Sequence, residues 1–252
     1  MKRSERHHLK ENELAHSLDR AREQFEAHKN RIVGIGVLVT VVVVVAAGYV
    51  WYRQRVEGAS RTMLATAMAI HQAQVVPPTP PPAPGQPAPA TAPAPPPPGS
   101  YPTEQAKLNA ALPKFMEAAE AHPSSSAGIA ARYEAAACLL QLGRAKDAID
   151  RYREVIDRDG NGLYGDMARM GLGEAQIATG QYDAAIASYR ELTSKPTVPT
   201  DAVLMQLGRA YAKAGKKTEA ERTFKRIMDE FPQSQYAQAA KKEMDATKAP
   251  AA

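Results

Sequence analysis

The chain has 252 residues, which is enough for one domain of ordinary size beside a membrane segment. Its formal net charge is +5, but residues 103–252 carry 21 basic and 20 acidic side chains, so no domain has the concentrated basic surface that nucleic acid requires. Cys138 is the only cysteine, so the chain forms no disulfide with itself.

Residues 1–31 form a polar tail. Its apolar residues Leu14, Leu18, Ala21 and Phe25 are spaced by four, three and four, which predicts one face of an amphipathic helix. The tail contains eight Lys or Arg residues and six Asp or Glu residues. We therefore interpret residues 1–31 as an amphipathic tail.

Residues 32–52 read IVGIGVLVTVVVVVAAGYVWY, 21 residues without a charge. Roughly 20 apolar residues are enough for a helix to cross the hydrocarbon core of a bilayer, so we predict a single transmembrane helix here. Tyr49, Trp51 and Tyr52 lie at one end, where amphipathic rings favour the headgroup layer. The apolar run is preceded by 31 residues and is itself 21 residues long. Both lengths favour an uncleaved signal-anchor helix over a cleaved signal peptide.

The distribution of basic residues predicts the orientation of this helix. Lys and Arg residues are more frequent before the apolar segment than directly after it, and basic flanks stay in the cytoplasm. We therefore expect a single-pass protein of the bacterial inner (cytoplasmic) membrane, with its amino terminus in the cytoplasm and its C-terminal domain in the periplasm.

Two different segments follow the apolar run. Residues 53–76 contain no proline and predict a juxtamembrane helix that extends the membrane helix. In residues 77–102, by contrast, 14 of 26 residues are proline. Such a segment favours extended polyproline II, and we interpret it as a stiff spacer. Recognition of its proline runs by an aromatic groove of a partner is the alternative.

Residues 103–252 contain a helical repeat. A glycine is followed five residues later by alanine and nine residues later by an aromatic residue, and this pattern recurs at steps of 37 and 35 residues. The three copies are Gly143, Ala148 and Tyr152; Gly180, Ala185 and Tyr189; and Gly215, Ala220 and Phe224. The glycine ends one helix in a left-handed turn, the small residues allow close helix contact, and the aromatic residue fills the gap to the next pair.

This pattern resembles the tetratricopeptide repeat. Together with the predicted transmembrane helix, the resemblance implies an all-α chain: a single transmembrane helix plus a tetratricopeptide-like α-solenoid of about three helix pairs with flanking helices. A half copy, carried by Ala111, Phe115 and Ala118, precedes the three copies, and its partner helix is expected within the proline-rich segment. A closing helix is expected over residues 234–247.

The resemblance also implies a peptide-binding groove lined by the first helix of each pair. Matched position by position, the groove residues are Tyr133, Met167, Met170, Glu174, Met205, Arg209 and Lys213. Packing of the methionines between helices is the alternative interpretation. The subset of the family that binds a terminal carboxylate needs an array of Lys and Asn residues. Here Ala137 and Glu174 stand at such positions, so we do not expect that activity.

The sequence has no phosphate-binding loop, no nucleophile motif and no metal-ligand spacing, which predicts a protein that is not an enzyme and has no cofactor or small-molecule substrate. The layout resembles the YfgM-type family of ancillary Sec translocon subunits. That resemblance implies a membrane-anchored scaffold or chaperone-like protein that binds polypeptides, next to the Sec translocon. The alternative is a fixed structural subunit of an envelope machine for secretion, pilus assembly or cell division.

Overall fold

The computed structural model describes residues 3–77, 97–195 and 197–248, and their side chains except those of 3–29, 32 and 248. Over these residues the fold is all-α, as predicted, with one isolated backbone bridge and no strands. The helices are α1 (Arg3–His71), α2 (Glu104–Ala121), α3 (Ser126–Gln141), α4 (Ala145–Arg158), α5 (Leu163–Ala178), α6 (Tyr182–Leu192), α7 (Thr200–Lys213), α8 (Lys217–Glu230) and α9 (Ala237–Lys248). The chain divides into two compact units, Met1–Arg55 and Val56–Ala252.

The first unit contains the apolar segment, which is helical throughout as part of α1. Every side chain from residue 33 to residue 52 is exposed, and Val45 and Trp51 expose 65% and 61% of their surface. In the part of the chain that the structure describes, α1 is the one helix that is long and apolar enough to cross a membrane. Soluble monomers rarely expose so large a contiguous apolar surface. The segment is therefore a candidate membrane span.

Helices α3 to α8 of the second unit form three pairs, and each pair is joined by a turn of three residues. Gly143, Gly180 and Gly215 lie in these turns with φ angles of 75°, 78° and 74°. Glycine adopts this left-handed conformation without the strain that a Cβ atom would cause. In each turn the next residue donates its N–H to the carbonyl five residues earlier, as Arg144 does to Leu139 at 2.9 Å. The prediction that these glycines end the first helices is confirmed.

Within a pair, a glycine of the first helix faces an aromatic ring of the second. A Cβ atom added at Gly173 would collide with the ring of Tyr189, and one added at Gly208 would collide with the ring of Phe224. Both rings are fully buried. Each aromatic residue stands 16 positions after its glycine. The small residues allow this close contact, as predicted. The aromatic residues were expected to fill the gap to the next pair: the Tyr152 ring does so at Gly171, whereas the Tyr189 and Phe224 rings pack within their own pair.

The end of α1, residues 56–71, packs into the core of the second unit. Ala67 is fully buried in a cluster that also contains Phe115 of α2 and residues of α3, α4 and α5. The side chains that pack against this cluster from the same segment are Met63, Leu64, Met68 and Ile70. The rings of His71 and Phe115 meet edge to face with centroids 5.8 Å apart. Residues 56–71 are therefore the partner helix of α2, and the prediction of a partner inside the proline-rich segment is wrong.

A buried hydrogen bond in the same place makes this first pair equivalent to the second and third glycine-turn pairs. The Oγ atoms of Ser60 and Ser125 are 2.6 Å apart. The corresponding bonds run from Thr197 Oγ1 to Asp166 Oδ2 and from Ser234 Oγ to Asp201 Oδ2, both at 2.6 Å. In all three cases a residue of the first helix is joined to the loop that follows the second helix. That residue stands seven positions before the small residue of the helix contact.

The first pair differs from the others in the length of its connection. Ala67 and Phe115 are 48 positions apart, whereas Gly173 and Tyr189 are 16 apart, so the first pair contains 32 additional residues between the contact positions. The connection runs from residue 72 to residue 103 and includes the proline-rich segment. That segment is therefore inserted where the later pairs have a glycine turn.

The two ends of this connection are hydrogen-bonded to each other. Val76 donates its N–H to the carbonyl of Tyr101, and Tyr101 donates its N–H to the carbonyl of Gln74, both at 2.9 Å. Because the ends meet, the length of the inserted segment does not set the distance between residues 56–71 and α2. Residues 78–96 lie outside the described residues, so the spacer role stays a prediction.

The predicted closing helix is present as α9, which packs on α7 and α8. Ala240 is fully buried against them. Lys241 and Lys242 are exposed, as expected for the outer side of a terminal helix. Glu243 points the other way and forms an ion pair with Arg209 of α7 at 3.0 Å.

Candidate protein-binding groove

The contacts between helices show which face of the repeat unit is concave. The first helices of neighbouring pairs touch, α3 with α5 and α5 with α7, and α9 continues this row. Among the described helices, the second helices α4, α6 and α8 touch only the helices adjacent to them in the sequence. A stack in which one row is closer together than the other curves toward that row. Helices α3, α5 and α7 therefore line the inner side.

The structure places the predicted groove residues in different environments. Tyr133, Met167 and Met170 are half-buried, while Glu174 and Lys213 are exposed. Arg209 is half-buried and engaged by Glu243. Met205 stands at the repeat position of Met170, but it is only 1% exposed and belongs to the core cluster formed with α8 and α9. Met205 is therefore a packing residue in this structure. This agrees with the alternative interpretation, in which the methionines pack between helices.

Three tyrosines form an aromatic cluster at the contact between the first and second glycine-turn pairs. The ring of Tyr133 on α3 lies 5.9 Å from the ring of Tyr152 on α4 and 5.9 Å from the ring of Tyr164 on α5. Tyr152 is buried, whereas the other two are partly accessible. Tyr164 was missed from the sequence, although its spacing of three residues before Met167 places both on one helical stripe.

Two carboxylates lie beside this cluster, Glu134 on α3 and Glu174 on α5. Loss of water around Glu134 raises the pKa of its carboxyl group, and His71 nearby partly opposes the shift. Glu174 has an exposed side chain, yet the surrounding helices displace enough water to raise its pKa as well, with Arg209 acting in the opposite direction. Gln206 donates an amide hydrogen to Glu174 at 3.2 Å. Both carboxyl groups therefore lose their protons less readily than free ones do.

His71 and Cys138 meet on the floor of the same region, with the Nδ1 and Sγ atoms 3.6 Å apart. Burial, followed by the charges of Glu134 and Glu104, raises the pKa of the Cys138 thiol to about 12. A thiol with this pKa stays protonated, so the pair does not form a reactive thiolate. The sequence did not indicate that His71 lies in the repeat core, because its helix was assigned to the membrane-proximal segment.

Stacked helical pairs with a concave inner row define the class of this protein as an α-solenoid. Within that class, residues 139–202 and 170–235 match the family model described as tetratricopeptide repeat. These matches support the assignment of the chain as a tetratricopeptide repeat protein, a class whose repeats generally mediate protein–protein interaction. No curated protein matches the chain in sequence.

Solved structures with a similar fold share little sequence with the chain. The nearly identical TPR-like repeats of a Podosopora anserina protein described as a kinesin light chain are 15% identical, with a TM-score of 0.50, and the match covers 56% of this chain and 77% of that one. A tetratricopeptide repeat protein from Parabacteroides merdae ATCC 43184 is 15% identical, with a TM-score of 0.48 and coverage of 56% and 54%. MamA from Desulfovibrio magneticus RS-1 is 17% identical, with a TM-score of 0.45 and coverage of 56% and 80%. At these identities, the first likeness concerns the fold alone.

Proposed function

We propose that the protein is a membrane-anchored tetratricopeptide repeat scaffold that binds other polypeptides along the inner side of its repeat unit. The observation that carries this proposal is a strip of partly accessible aromatic and methionine side chains on α3 and α5, namely Tyr133, Tyr164, Met167 and Met170. Methionine adapts its shape to irregular apolar partners, and aromatic rings supply large contact areas. Such a strip suits a partner in extended or helical form.

The charged residues of the predicted groove extend this surface. Glu174 continues the strip along α5, and Arg209 and Lys213 follow on α7. Met205 is not part of the proposed surface because it is buried. Binding in this groove uses burial of apolar area and local charge, and needs neither nucleotide nor metal.

The proposed anchor is the apolar segment 32–52. Its exposed valines and the aromatic residues Tyr49, Trp51 and Tyr52 match the hydrocarbon core and the headgroup layer of a bilayer. The basic tail favours a cytoplasmic amino terminus, which leaves the repeat unit in the periplasm. A place beside the Sec translocon and a chaperone-like role toward emerging polypeptides are the finer parts of the proposal, and they rest on the layout of the chain.

Site-specific photocrosslinking in cells tests the groove. A photoreactive amino acid at Met170 is compared with one at Arg153, which is exposed on the second helix α4. We expect several substoichiometric polypeptide adducts at position 170 and few at position 153. A single stoichiometric adduct would instead indicate a fixed subunit of an envelope machine. Equal adducts at both positions would refute binding through the groove.

Carbonate extraction and a topology reporter test the anchor separately. We expect the full chain to stay in the membrane pellet after carbonate treatment. We also expect a reporter fused to the C-terminal end to be active only outside the cytoplasm. Release of the chain by carbonate would refute the anchor, and reporter activity in the cytoplasm would refute the orientation.

A further inference from the structure

The accessible part of the tyrosine cluster is a surface that suits a proline-rich segment. The rings of Tyr133 and Tyr164 lie 5.9 Å apart with their planes inclined by 50°, and both residues are partly accessible. The buried Tyr152 ring packs against Tyr133 from α4 and supports it. Met167, three residues after Tyr164 on α5, extends the apolar surface. Proline-rich segments dock on aromatic surfaces of this kind, and tyrosine hydroxyls can donate to the free carbonyls of polyproline II.

The chain itself contains a segment of this composition. Residues 78–96 lie outside the described residues, and their sequence contains ten prolines among 19 residues and no charged residue. Proline restricts φ before any partner is bound, so a proline-rich segment loses little conformational entropy when it docks in the polyproline II form. The composition of residues 78–96 therefore matches an uncharged aromatic surface.

The described chain on both sides of this segment begins and ends close to the tyrosine cluster. Helix α1 ends at His71, whose Nδ1 atom is 3.6 Å from Cys138 Sγ on α3. Cys138 stands five residues after Tyr133, which is about 7.5 Å along the axis of α3. The backbone hydrogen bond between Val76 and Tyr101 then holds the outgoing and returning chain together. The proline-rich segment therefore leaves and rejoins the repeat unit near the end of α3.

The length of residues 78–96 is sufficient to reach the cluster. A polyproline II helix rises about 3.1 Å per residue, so 19 residues extend to about 60 Å, and their middle can lie about 30 Å from the two ends. Tyr133 and Tyr164 are well within that range of the end of α3. A segment that is tethered at both ends also has an effective concentration in the millimolar range, so that even a weak site is occupied.

We propose that residues 78–96 of the chain occupy its own groove at Tyr133, Tyr164 and Met167. This inference rests on the proposed function, because it concerns the same groove and adds an internal ligand to it. The preferred ligand at this place is an uncharged, proline-rich segment in the polyproline II form. Another polypeptide binds there only when it displaces residues 78–96, so the segment lowers the affinity of the groove for partners.

Competition with a free peptide tests this occupant. A fluorescent peptide with the sequence of residues 78–96 is added to the purified full chain in detergent micelles, and to a shortened chain in which Gly-Ser-Gly replaces residues 79–98. Fluorescence anisotropy measures both affinities. We expect the peptide to bind the shortened chain roughly 5- to 10-fold more tightly, because the tethered segment competes in the full chain. A control peptide with serine in place of all ten prolines should bind the shortened chain at least about 10-fold more weakly.

Photocrosslinking within the purified full chain gives a second measurement that does not depend on the shortened chain. A photoreactive amino acid replaces Tyr164 in one sample and Tyr182, a half-buried residue at the start of the second helix α6, in the control. We expect adducts with residues 78–96 at position 164 and none at position 182. Mixing chains labelled with ¹⁴N and ¹⁵N identifies the source of each adduct by mass. Adducts that form only between differently labelled chains would assign the segment to a second copy and overturn the proposal.

Two matched variants of the shortened chain locate the peptide site. Tyr164→Leu keeps the apolar bulk and removes the ring, and it should reduce the affinity for the peptide several-fold, whereas Tyr182→Leu should leave it unchanged. Equal affinity of the full and shortened chains, no binding of the peptide, or no adduct between position 164 and residues 78–96 would each overturn the proposal. Adducts of cellular polypeptides at position 170 would still support the proposed function in those cases, so the two failures are distinguishable.

Discussion

The first helix pair shares a buried small residue and a buried aromatic ring with the three later pairs of the repeat unit, but its connection is very different. In the later pairs, three residues with a left-handed glycine join the helices. In the first pair, 32 additional residues stand between the contact positions Ala67 and Phe115. Even so, Ala67 is fully buried and Ser60 forms the same kind of hydrogen bond as its counterparts. The contact positions, and not the turn, therefore define a helix pair in this protein.

The long connection has a thermodynamic consequence. Closing a loop of about 32 residues instead of about three costs roughly 2 kcal/mol more conformational entropy. The hydrogen bonds between Tyr101 and residues 74 and 76 lower this entropy cost, because they join the two ends of the loop directly after α1 and just before α2. The stability of the first pair thus depends more on side-chain packing than the stability of the later pairs does. Substitutions in the first pair therefore distinguish its long connection from the glycine turns.

The largest expected effect is that of Ala67→Leu. Ala67 is fully buried between α1 and α2, so three additional carbon atoms overpack the contact, and we expect a loss of about 1–3 kcal/mol in the free energy of unfolding of the repeat unit. Ala65→Leu, at an exposed position of the same helix, should change it by less than about 0.5 kcal/mol. Urea unfolding followed by tyrosine fluorescence measures both. Equal effects of the two variants would show that residues 56–71 do not pack as described.

The next effect is that of Ser60→Ala. It removes one partner of a buried hydrogen bond, while Ser125 keeps its bonds to the His122 carbonyl and the Gly128 N–H, so we expect a loss of about 0.5–1.5 kcal/mol. Ser234→Ala at the third glycine-turn pair leaves the Asp201 carboxylate without its hydroxyl donor and should cost at least as much. The same unfolding assay compares them. A neutral Ser60→Ala would argue against equivalence of the first pair.

A smaller effect is expected from shortening the connection. Replacing residues 79–98 by three residues, Gly-Ser-Gly, should leave the repeat unit folded and stabilise it by less than about 1 kcal/mol, since a shorter loop loses less entropy. The hydrogen bonds of Tyr101 need only the ends of the loop. Thermal unfolding of the full chain and of the shortened chain measures the difference. A marked loss of stability would show that the inserted segment itself supports the fold.

The smallest effect concerns pH. The carboxyl groups of Glu134 and Glu174 have a folded-state pKa above the ordinary value of 4.5, so the folded state binds more protons than the unfolded state at mildly acidic pH. Their contribution to stability is therefore most favourable below pH 4.5 and declines as pH rises through the folded-state pKa. Glu134→Gln combined with Glu174→Gln should flatten the decline of Tm with rising pH, and Asp157→Asn, at an exposed position of α4, should not. An unchanged pH profile in the double variant would contradict the raised pKa values of these two groups.

The sequence predicted those features that are set by local spacing. The 16-residue interval between small residue and aromatic ring, and the glycine in each turn, recur within about 35 residues, so Gly173 with Tyr189 and Gly208 with Phe224 could be paired without coordinates. The first pair was hidden because 32 additional residues interrupt that interval and alanine replaces the glycine at position 67. Residues 56–71 also directly follow the apolar segment, so the sequence analysis assigned them to the juxtamembrane helix.

The groove residues were harder to predict, because burial depends on neighbouring helices. Met170 and Met205 occupy the same repeat position, but α9 and α8 share a core cluster with Met205 and leave it 1% exposed. Glu134 follows Tyr133 directly, so no helical spacing marks it as a groove residue. Its site appears only when α3, α5 and residues 56–71 are placed side by side. Tertiary packing, and not the repeat pattern, therefore decides which side chains a partner can reach.

Hydrogen exchange of the full chain in detergent micelles tests most directly whether residues 56–71 belong to the repeat unit. We expect the backbone amides of residues 61–71 to be as strongly protected as those of α2 and α3, and Ala67→Leu to weaken the protection of all three segments together. Fast exchange of residues 61–71 beside a protected α3, or a loss of protection confined to that segment in the variant, would contradict this expectation.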